Sequence, residues 1–124
     1  MQQFRFRKFQ VYQDSLEFRK YIRLVILQFF PNNQRFILID QLERASNSII
    51  LNIAEGSAKN SDKSFANFLS ISVGSLHECV ACLDIAFNDK FIPEKVHQEA
   101  LLKAVEISNQ LTAFRKRVLS NVKS

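Results

Sequence analysis

The chain has 124 residues, a net charge of +5, and only two glycines and two prolines. This length is ordinary for one domain and suffices to bury a core without metals or disulfides, so residues 1–124 are predicted to form a single domain. The scarcity of glycine and proline excludes a sandwich or barrel of many short strands, because such folds need frequent turns. We therefore predict an all-α protein made of a few long helices.

The first predicted helix spans about residues 11–30. Apolar or small residues recur along it at alternating steps of four and three, which places them on one helical face. They are Val11, Ser15, Phe18, Ile22, Val25 and Phe29. Pro31 then lacks the amide hydrogen that a helix interior needs and is followed by two asparagines, so the helix is predicted to end there.

The second predicted helix spans about residues 35–55 and has two distinct sides. Its buried stripe consists of Ile39, Leu42, Ser46, Ile49 and Ile53. Gly56 is predicted to end the helix as a left-handed C-cap, and residues 57–60 are predicted to form a turn. The side opposite the stripe carries Arg44, Ser48, Leu51 and Glu55, with Asn52 at the boundary. A leucine within a polar line predicts a contact surface; the alternative is a solvated face whose last polar residues help to finish the helix.

The third predicted helix spans about residues 61–88, with Ser61 as N-cap and Asp62 in the first turn. Its core stripe consists of Phe65, Phe68, Leu69, Ser72, Leu76, Cys79, Val80, Leu83 and Phe87. Small and apolar residues also occupy the opposite side, namely Ala66, Ser70, Ile71, Gly74, Ala81 and Ile85. Because charge-free exposed helix faces are rare, we expect a second copy of the chain to cover this side. The alternative is a weakly polar outer face on which Gly74 is incidental.

The fourth predicted helix spans about residues 93–121, with Pro93 at its first position. Its stripe consists of Val96, Ala100, Ala104, Ile107, Leu111, Phe114 and Val118. Four long helices joined by short loops predict an up-down antiparallel four-helix bundle.

The sequence contains little that suggests catalysis. Cys79 and Cys82 form a lone CxxC inside a helix, without the further ligands of a zinc site, so they are predicted to be reduced thiols with Cys79 in the core. We find no glycine-rich phosphate loop, serine elbow or convincing carboxylate pair. The chain is therefore predicted not to be an enzyme and to need no cofactor or metal. The longest aliphatic run, residues 24–27, is too short to cross a bilayer, so a cytoplasmic protein is expected.

Basic charge is concentrated at the two ends of the chain. Residues 1–35 carry seven Lys/Arg and two acids, residues 36–90 carry four and seven, and residues 91–124 carry six and three. This pattern favours contact with a polyanion such as RNA or DNA, although solvated helix ends would give the same count. The candidate nucleic-acid-binding residues are Arg5, Arg7, Lys8, Arg19, Lys20, Arg23, Arg115, Lys116 and Arg117.

Aromatic residues alternate with these charges. An exposed ring beside Arg or Lys can stack on an unpaired base, as residues 4–8 and 114–117 would allow. The alternative is that Phe4, Phe6 and Phe114 are buried anchors. The pattern alone leaves both interpretations open.

Several segments resemble one protein family: FP at 30–31, QLERASNSIILNIAEGS at 41–57 and FLSISVGSLHE at 68–78. They are similar to the four-helix bundle proteins encoded in intervening sequences of bacterial 23S ribosomal RNA genes, the S23 ribosomal protein family. These are related to the accessory variability determinant of diversity-generating retroelements. Ile50 stands where the family usually has proline, and Glu43 where a basic residue is common. The resemblance implies a homopentamer with basic surfaces and a nucleic-acid-associated role, with a reverse transcriptase as a further candidate partner.

The leading hypothesis is therefore a non-enzymatic, oligomeric nucleic-acid-binding accessory protein. The alternative is a protein–protein interaction scaffold with no nucleic-acid role, whose basic ends dock an acidic partner. The predicted subunit interface consists of Arg44, Ser48, Leu51, Asn52, Glu55, Ser70, Ile71, Gly74 and Glu78.

Overall fold

The computed structural model describes residues 3–121, except for the side chains of residues 34–36. Four α-helices dominate it: α1 (Gln10–Tyr21), α2 (Asp40–Ser57), α3 (Asp62–Asn88) and α4 (Glu94–Ser120). A short 3₁₀ turn, Arg5–Lys8, precedes α1, and the described residues contain no strand. Each helix packs against two others, in the cyclic order α1, α2, α3, α4. The fold is therefore the predicted all-α four-helix bundle.

The core consists of the helical stripes that the sequence pattern predicts. Leu42, Ile49 and Ile53 of α2 are buried against Leu69, Leu76 and Leu83 of α3 and Ile107 and Leu111 of α4. Small residues at the helix crossings, such as Ala45, Ala100 and Ala104, are also buried and let the backbones approach. A buried hydrogen bond ties two helices together, since the Ser72 hydroxyl donates to the Ile49 carbonyl at 2.9 Å.

The predicted stripe of the first helix is wrong beyond Ile22. The α-helix itself ends at Tyr21, and the chain continues through a π-helical turn, Ile22–Ile26, and a 3₁₀ turn, Leu27–Phe29. A π turn holds more residues than an α turn, so it moves the buried face by one position. Ile26 and Phe30 are therefore buried in place of Val25, which is half-buried, and Phe29, which is 39% exposed.

The start of the second helix differs in the same way. Arg35–Ile39 form another π-helical turn, and regular α-helix begins only at Asp40. Leu38 is buried and Ile39 is only partly buried, so the apolar stripe is again displaced by one residue. From there α2 runs unbroken through the buried Ile50.

Gly56 is not the left-handed C-cap that the sequence pattern predicts. The helix continues through it to Ser57, and no glycine in residues 3–121 has a positive φ. A Cβ on Gly56 would lie 2.6 Å from the Cβ of Phe68 and 3.0 Å from the ring of Phe65. Glycine is therefore needed at position 56 because α2 and α3 are in close contact there. Because Ser57 belongs to the helix, the connecting turn occupies residues 58–61.

The ends of α3 have well-formed caps. Ser61 is the N-cap as predicted, and its hydroxyl accepts from the Ser64 amide at 3.1 Å. At the other end Lys90 adopts φ 63°, the Phe91 amide donates to the Ala86 carbonyl at 2.8 Å, and the Lys90 amide donates to the Phe87 carbonyl at 2.9 Å. This is a Schellman motif with lysine at the position that usually holds glycine.

Three smaller expectations, for Pro93, Ala66 and Phe87, are also corrected. Pro93 is the N-cap of α4, one residue before the helix begins at Glu94. Ala66 of α3 is not on the outer side but is 1% exposed. The predicted core position of Cys79 is confirmed, and Cys82 is buried as well. Phe87, assigned to the core stripe, is 37% exposed because it lies in the last turn of α3.

Candidate nucleic-acid interface and the α2–α3 face

The antiparallel topology brings both termini of the described chain to one end of the bundle. The start of α1, the α2–α3 turn and the end of α4 meet there. This end, which we name the basic pole, carries eight cationic side chains. They are Arg5, Arg7, Lys8, Lys59, Lys63, Arg115, Lys116 and Arg117.

An aromatic cluster joins the two basic segments at the pole. The rings of Phe9 and Phe114 lie edge to face with centroids 4.9 Å apart, and Phe65 lies 5.4 Å from Phe114. The Arg5 guanidinium lies over Phe9 and Phe65, at 5.8 and 5.4 Å from the ring centroids. Arg117 lies 5.5 Å from the Phe114 ring centroid. These contacts place two cationic segments from opposite ends of the sequence side by side.

The positive charge of the chain is concentrated at this pole. Residues 3–15, 52–70 and 110–121 together carry eight Lys/Arg and only three acids, Asp14, Glu55 and Asp62. The rest of residues 3–121 carry eight Lys/Arg and nine acids. One end of the bundle is therefore strongly cationic and the remainder is close to neutral, an arrangement that attracts polyanions.

Two of the predicted binding arginines at the pole donate hydrogen bonds within the chain. Arg5 donates to the Ser57 carbonyl at the end of α2, with a separation of 3.0 Å. Arg115 donates to the Ser70 hydroxyl of α3 at 2.6 Å. Arg7, Lys8 and Lys116, by contrast, have exposed side chains. The pole thus combines cations that hold its segments together with cations that face solvent.

Three further predicted residues lie outside the pole. Arg19 of α1 donates to the side-chain oxygen of Asn47 on α2. Lys20 lines a groove between α1 and α4 in which both signs of charge alternate, with Glu17, Lys103 and Glu106 among its lining residues. Lys20 and Arg23 are exposed. The structure therefore divides the nine predicted residues into six at the pole and three along α1.

Most aromatic rings at the pole are turned inward. Phe6 is half-buried and packs edge to face on Tyr12, with centroids 4.9 Å apart, and Phe114 is half-buried in the aromatic cluster. Phe4 is 52% exposed. The alternative interpretation of these rings as anchors thus holds for Phe6 and Phe114 but not for Phe4.

A second surface, which we name the α2–α3 face, contains the predicted subunit interface. Leu51 is 65% exposed, and Ile71 and Ile85 are 49% and 48% exposed. A Cβ on Gly74 would meet no atom within 4 Å, so this position is open. The α2–α3 face therefore includes exposed apolar side chains.

Polar groups of the α2–α3 face bond to one another, once between its two helices and otherwise within α2. The Ser75 hydroxyl donates to that of Ser48 at 2.8 Å, and the Asn52 amide donates to the Ser48 carbonyl at 2.8 Å. Arg44 pairs with Asp40 of its own helix at 3.6 Å, and both side chains remain exposed. Glu55 is exposed as well.

Helix α3 is unusually apolar for a helix with so much exposed surface. By length and composition it could cross a membrane, with a mean hydropathy of 1.4 over an 18-residue window of which only 33% is buried. The core helix of a soluble bundle can have the same length and composition. The low buried share means that much apolar surface of α3 is left uncovered by this chain.

The sequence profile of the 23S rRNA-intervening sequence protein family matches residues 7–113. The chain belongs to this family. A crystal structure at 1.70 Å resolution of a Bacteroides thetaiotaomicron protein of unknown function from the S23 ribosomal protein family has a similar fold, with 29% identity and a TM-score of 0.75. The alignment covers 86% of this chain and 95% of that one. No curated protein matches the chain.

Two cationic residues of this intervening-sequence protein were missed by the sequence reasoning. Lys59 lies in the α2–α3 turn, with its ammonium 5.0 Å from the ring centroid of Phe68, and Lys63 lies exposed in the first turn of α3. Both are in the acidic middle of the sequence. The predicted up-down topology could have identified them, because it places the α2–α3 turn at the same end of the bundle as the two termini.

The surroundings of the two cysteines disfavour the reactive thiolate form. Both are free and buried. Burial, with a smaller contribution from the neighbouring Cys82 thiol, raises the pKa of Cys79 from 9.0 to about 12. Burial also raises the pKa of Cys82. Since the thiolate is the reactive and metal-binding form, neither thiol is suited to either role.

Proposed function

We propose that this chain is a non-enzymatic, oligomeric accessory protein that binds nucleic acid through its basic pole. The observation that carries the proposal is the concentration of eight cationic side chains against three acids at one end of the bundle. Because the chain belongs to the 23S rRNA-intervening sequence protein family, RNA is tested as a ligand beside DNA.

The binding is electrostatic in this proposal. Each phosphate that a Lys or Arg neutralises releases condensed counterions, so the logarithm of affinity falls by about 0.9 per contact for each tenfold rise in salt. Six cationic side chains of the pole are exposed to solvent, and two of these also lie over aromatic rings. They are Arg7, Lys8, Lys59, Lys63, Lys116 and Arg117. If all six contact phosphates, the logarithm of affinity for duplex DNA falls with the logarithm of salt concentration with a slope of about −5.

The experiment is a salt series of fluorescence anisotropy titrations with labelled RNA and DNA. The double variant Lys116→Gln/Arg117→Gln is compared with Lys90→Gln/Lys95→Gln, which removes the same charge at the opposite end of the bundle. We expect the pole variant to flatten the salt slope by about 2, because two phosphate contacts are lost. The control should bind like the wild type. Equal effects of the two variants, or no binding at low salt, would refute the proposal.

The same proposal includes self-association through the α2–α3 face. Leu51, Ile71 and Ile85 together expose apolar surface that a second copy would bury. The homopentamer implied by family resemblance is the assembly we propose. The small, open Gly74 fits such a contact, because it lets a neighbouring helix approach closely.

The assembly is tested by light scattering coupled to size exclusion. Leu51→Glu places a charge in the proposed contact and should shift the mass to that of a monomer, because an unpaired buried carboxylate is costly. Leu102→Glu is the matched control, since Leu102 is 72% exposed on α4, away from the α2–α3 face. A monomeric wild type, or dissociation by both variants alike, would refute this part.

One observation favours a second candidate function, a scaffold for another protein. Leu102 and Val105 lie one turn apart on α4 and are 72% and 55% exposed, outside both surfaces described above. A reverse transcriptase is the candidate partner, by the resemblance to retroelement accessory proteins. If the scaffold alone is the function, replacing the cations of the pole would leave any nucleic-acid binding unchanged.

A further inference from the structure

We propose that the basic pole binds the sugar-phosphate backbone of a base-paired duplex and does not hold single strands by base stacking. This inference rests on the proposed function and specifies the class of nucleic acid. Three features of the pole support it: the placement of its aromatic rings, the division of its cations, and its width.

Most aromatic rings of the pole pack against other rings of the same chain. Proteins that hold single strands present several exposed rings, on which successive bases stack. Here Phe9, Phe65 and Phe114 contact one another, with Phe65 only 3% exposed. Phe6 packs on Tyr12. Among the described aromatic residues at the pole, Phe4 alone is more than half exposed, and one ring cannot form a stacking platform.

The cations of the pole form two groups, one that is hydrogen-bonded within the chain and one that faces outward. Arg5 and Arg115, whose planar guanidinium groups suit stacking or bidentate contacts, are hydrogen-bonded to Ser57 and Ser70. Of the six outward-facing cations, four are lysines, whose compact ammonium groups bind phosphate as point charges. The pole therefore has many contacts for phosphate and few for bases.

The dimensions of the pole fit a dense array of phosphates. The end of a four-helix bundle is about two helix diameters, or about 20 Å, across. A duplex presents about 12 phosphates over that length, because its charge spacing is about 1.7 Å along the axis. A single stacked strand presents about half as many. Cations distributed over several turns and helices therefore find more partners on a duplex.

The size of the preference follows from counterion release. Six contacts give a salt slope of about −5 on a duplex and about −4 on a single strand. If the two substrates bind equally at about 1 M salt, the duplex is bound about tenfold more tightly at about 0.1 M.

The test compares two labelled probes at several salt concentrations: a duplex of about two helical turns and an unstructured pyrimidine strand with the same number of phosphates. We expect about tenfold tighter duplex binding at about 0.1 M salt. The Phe4→Ala variant, checked for folding by circular dichroism, should bind both probes like the wild type.

Two results would overturn the inference while leaving the proposed function intact. One is equal or tighter binding of the single strand. The other is a loss of single-strand affinity of about tenfold in Phe4→Ala, which is within the range expected when a stacking ring is removed. Absence of binding to either probe would instead refute the proposed function itself.

Discussion

The substitution Gly56→Ala tests whether close packing or backbone conformation requires glycine at this position of α2. Gly56 lies inside α2 without a positive φ, so alanine suits the backbone and improves helix propensity by about 1 kcal/mol. The added methyl, however, would lie 2.6 Å from the Cβ of Phe68, and neither carbon can rotate away because each is fixed to its backbone. The helices must therefore move apart at this crossing.

The expected change in the free energy of unfolding is the difference between the cost of the clash and the gain in helix propensity. Overpacking of a dense core costs about 1–3 kcal/mol, and a clash between two Cβ atoms belongs at the upper end of that range. Separation of α2 from α3 would also loosen the packing of Phe65 and Leu69. After subtracting the gain in propensity, we expect Gly56→Ala to lower the free energy of unfolding by about 2 kcal/mol.

Gly74→Ala is the matched control, because it makes the same chemical change in an open part of α3. Its new methyl meets no atom within 4 Å, so we expect a gain of about 1 kcal/mol from helix propensity alone. Both variants are measured by urea unfolding followed by circular dichroism. If the wild type self-associates, they are compared in the Leu51→Glu background, so that protein concentration does not enter the result. A Gly56→Ala protein as stable as its parent would refute the argument from close packing.

Three further predictions follow from the interior and from the cap of α3, and one concerns ionisation. Ser15→Ala should raise stability by about 1 kcal/mol, because the buried Ser15 hydroxyl has no hydrogen-bond partner among the described residues. Lys90→Gly should also raise it, by about 1 kcal/mol, because glycine adopts the left-handed conformation without strain. Both are measured by urea unfolding. Cys79 and Cys82 should react with a thiol reagent only as fast as the chain unfolds. Burial, together with a hydrogen bond to an α4 glutamate, raises the pKa of Tyr21 from 10.0 to about 12. The unfolded chain therefore loses this proton first, so stability falls as pH rises from 10 to about 12, and a tyrosinate absorbance step near pH 12 should vanish in Tyr21→Phe.

Each of these predictions has an outcome that contradicts it. A less stable Ser15→Ala protein would mean that the hydroxyl has a partner, such as a buried water. Loss of stability in Lys90→Gly would mean that the lysine side chain contributes more than its backbone conformation costs. Rapid thiol modification of the folded protein would show that the cysteines are accessible. Retention of the high-pH absorbance step in Tyr21→Phe would assign it to the other tyrosine.

The sequence by itself determined the four helices and most of their buried faces. Apolar residues at helical spacing are enough for this, because burial of one face is what stabilises each helix in a bundle. Ser61 was identified as an N-cap for a similarly local reason, since its hydroxyl bonds to an amide three residues away. The prominence of Leu51 on a polar side was also visible in the sequence, and the structure leaves that side chain 65% exposed.

Only the tertiary structure decided which residues act together. The π turns at Ile22–Ile26 and Arg35–Ile39 shift the apolar stripes by one position, and nothing in the spacing distinguishes them from α turns. Gly56 looked like a helix terminator because its close neighbours, Phe65 and Phe68, belong to the next helix. Lys59 and Lys63 join the basic pole for the same reason. Contacts between helices depend on distances in space, which a linear pattern of residues does not contain.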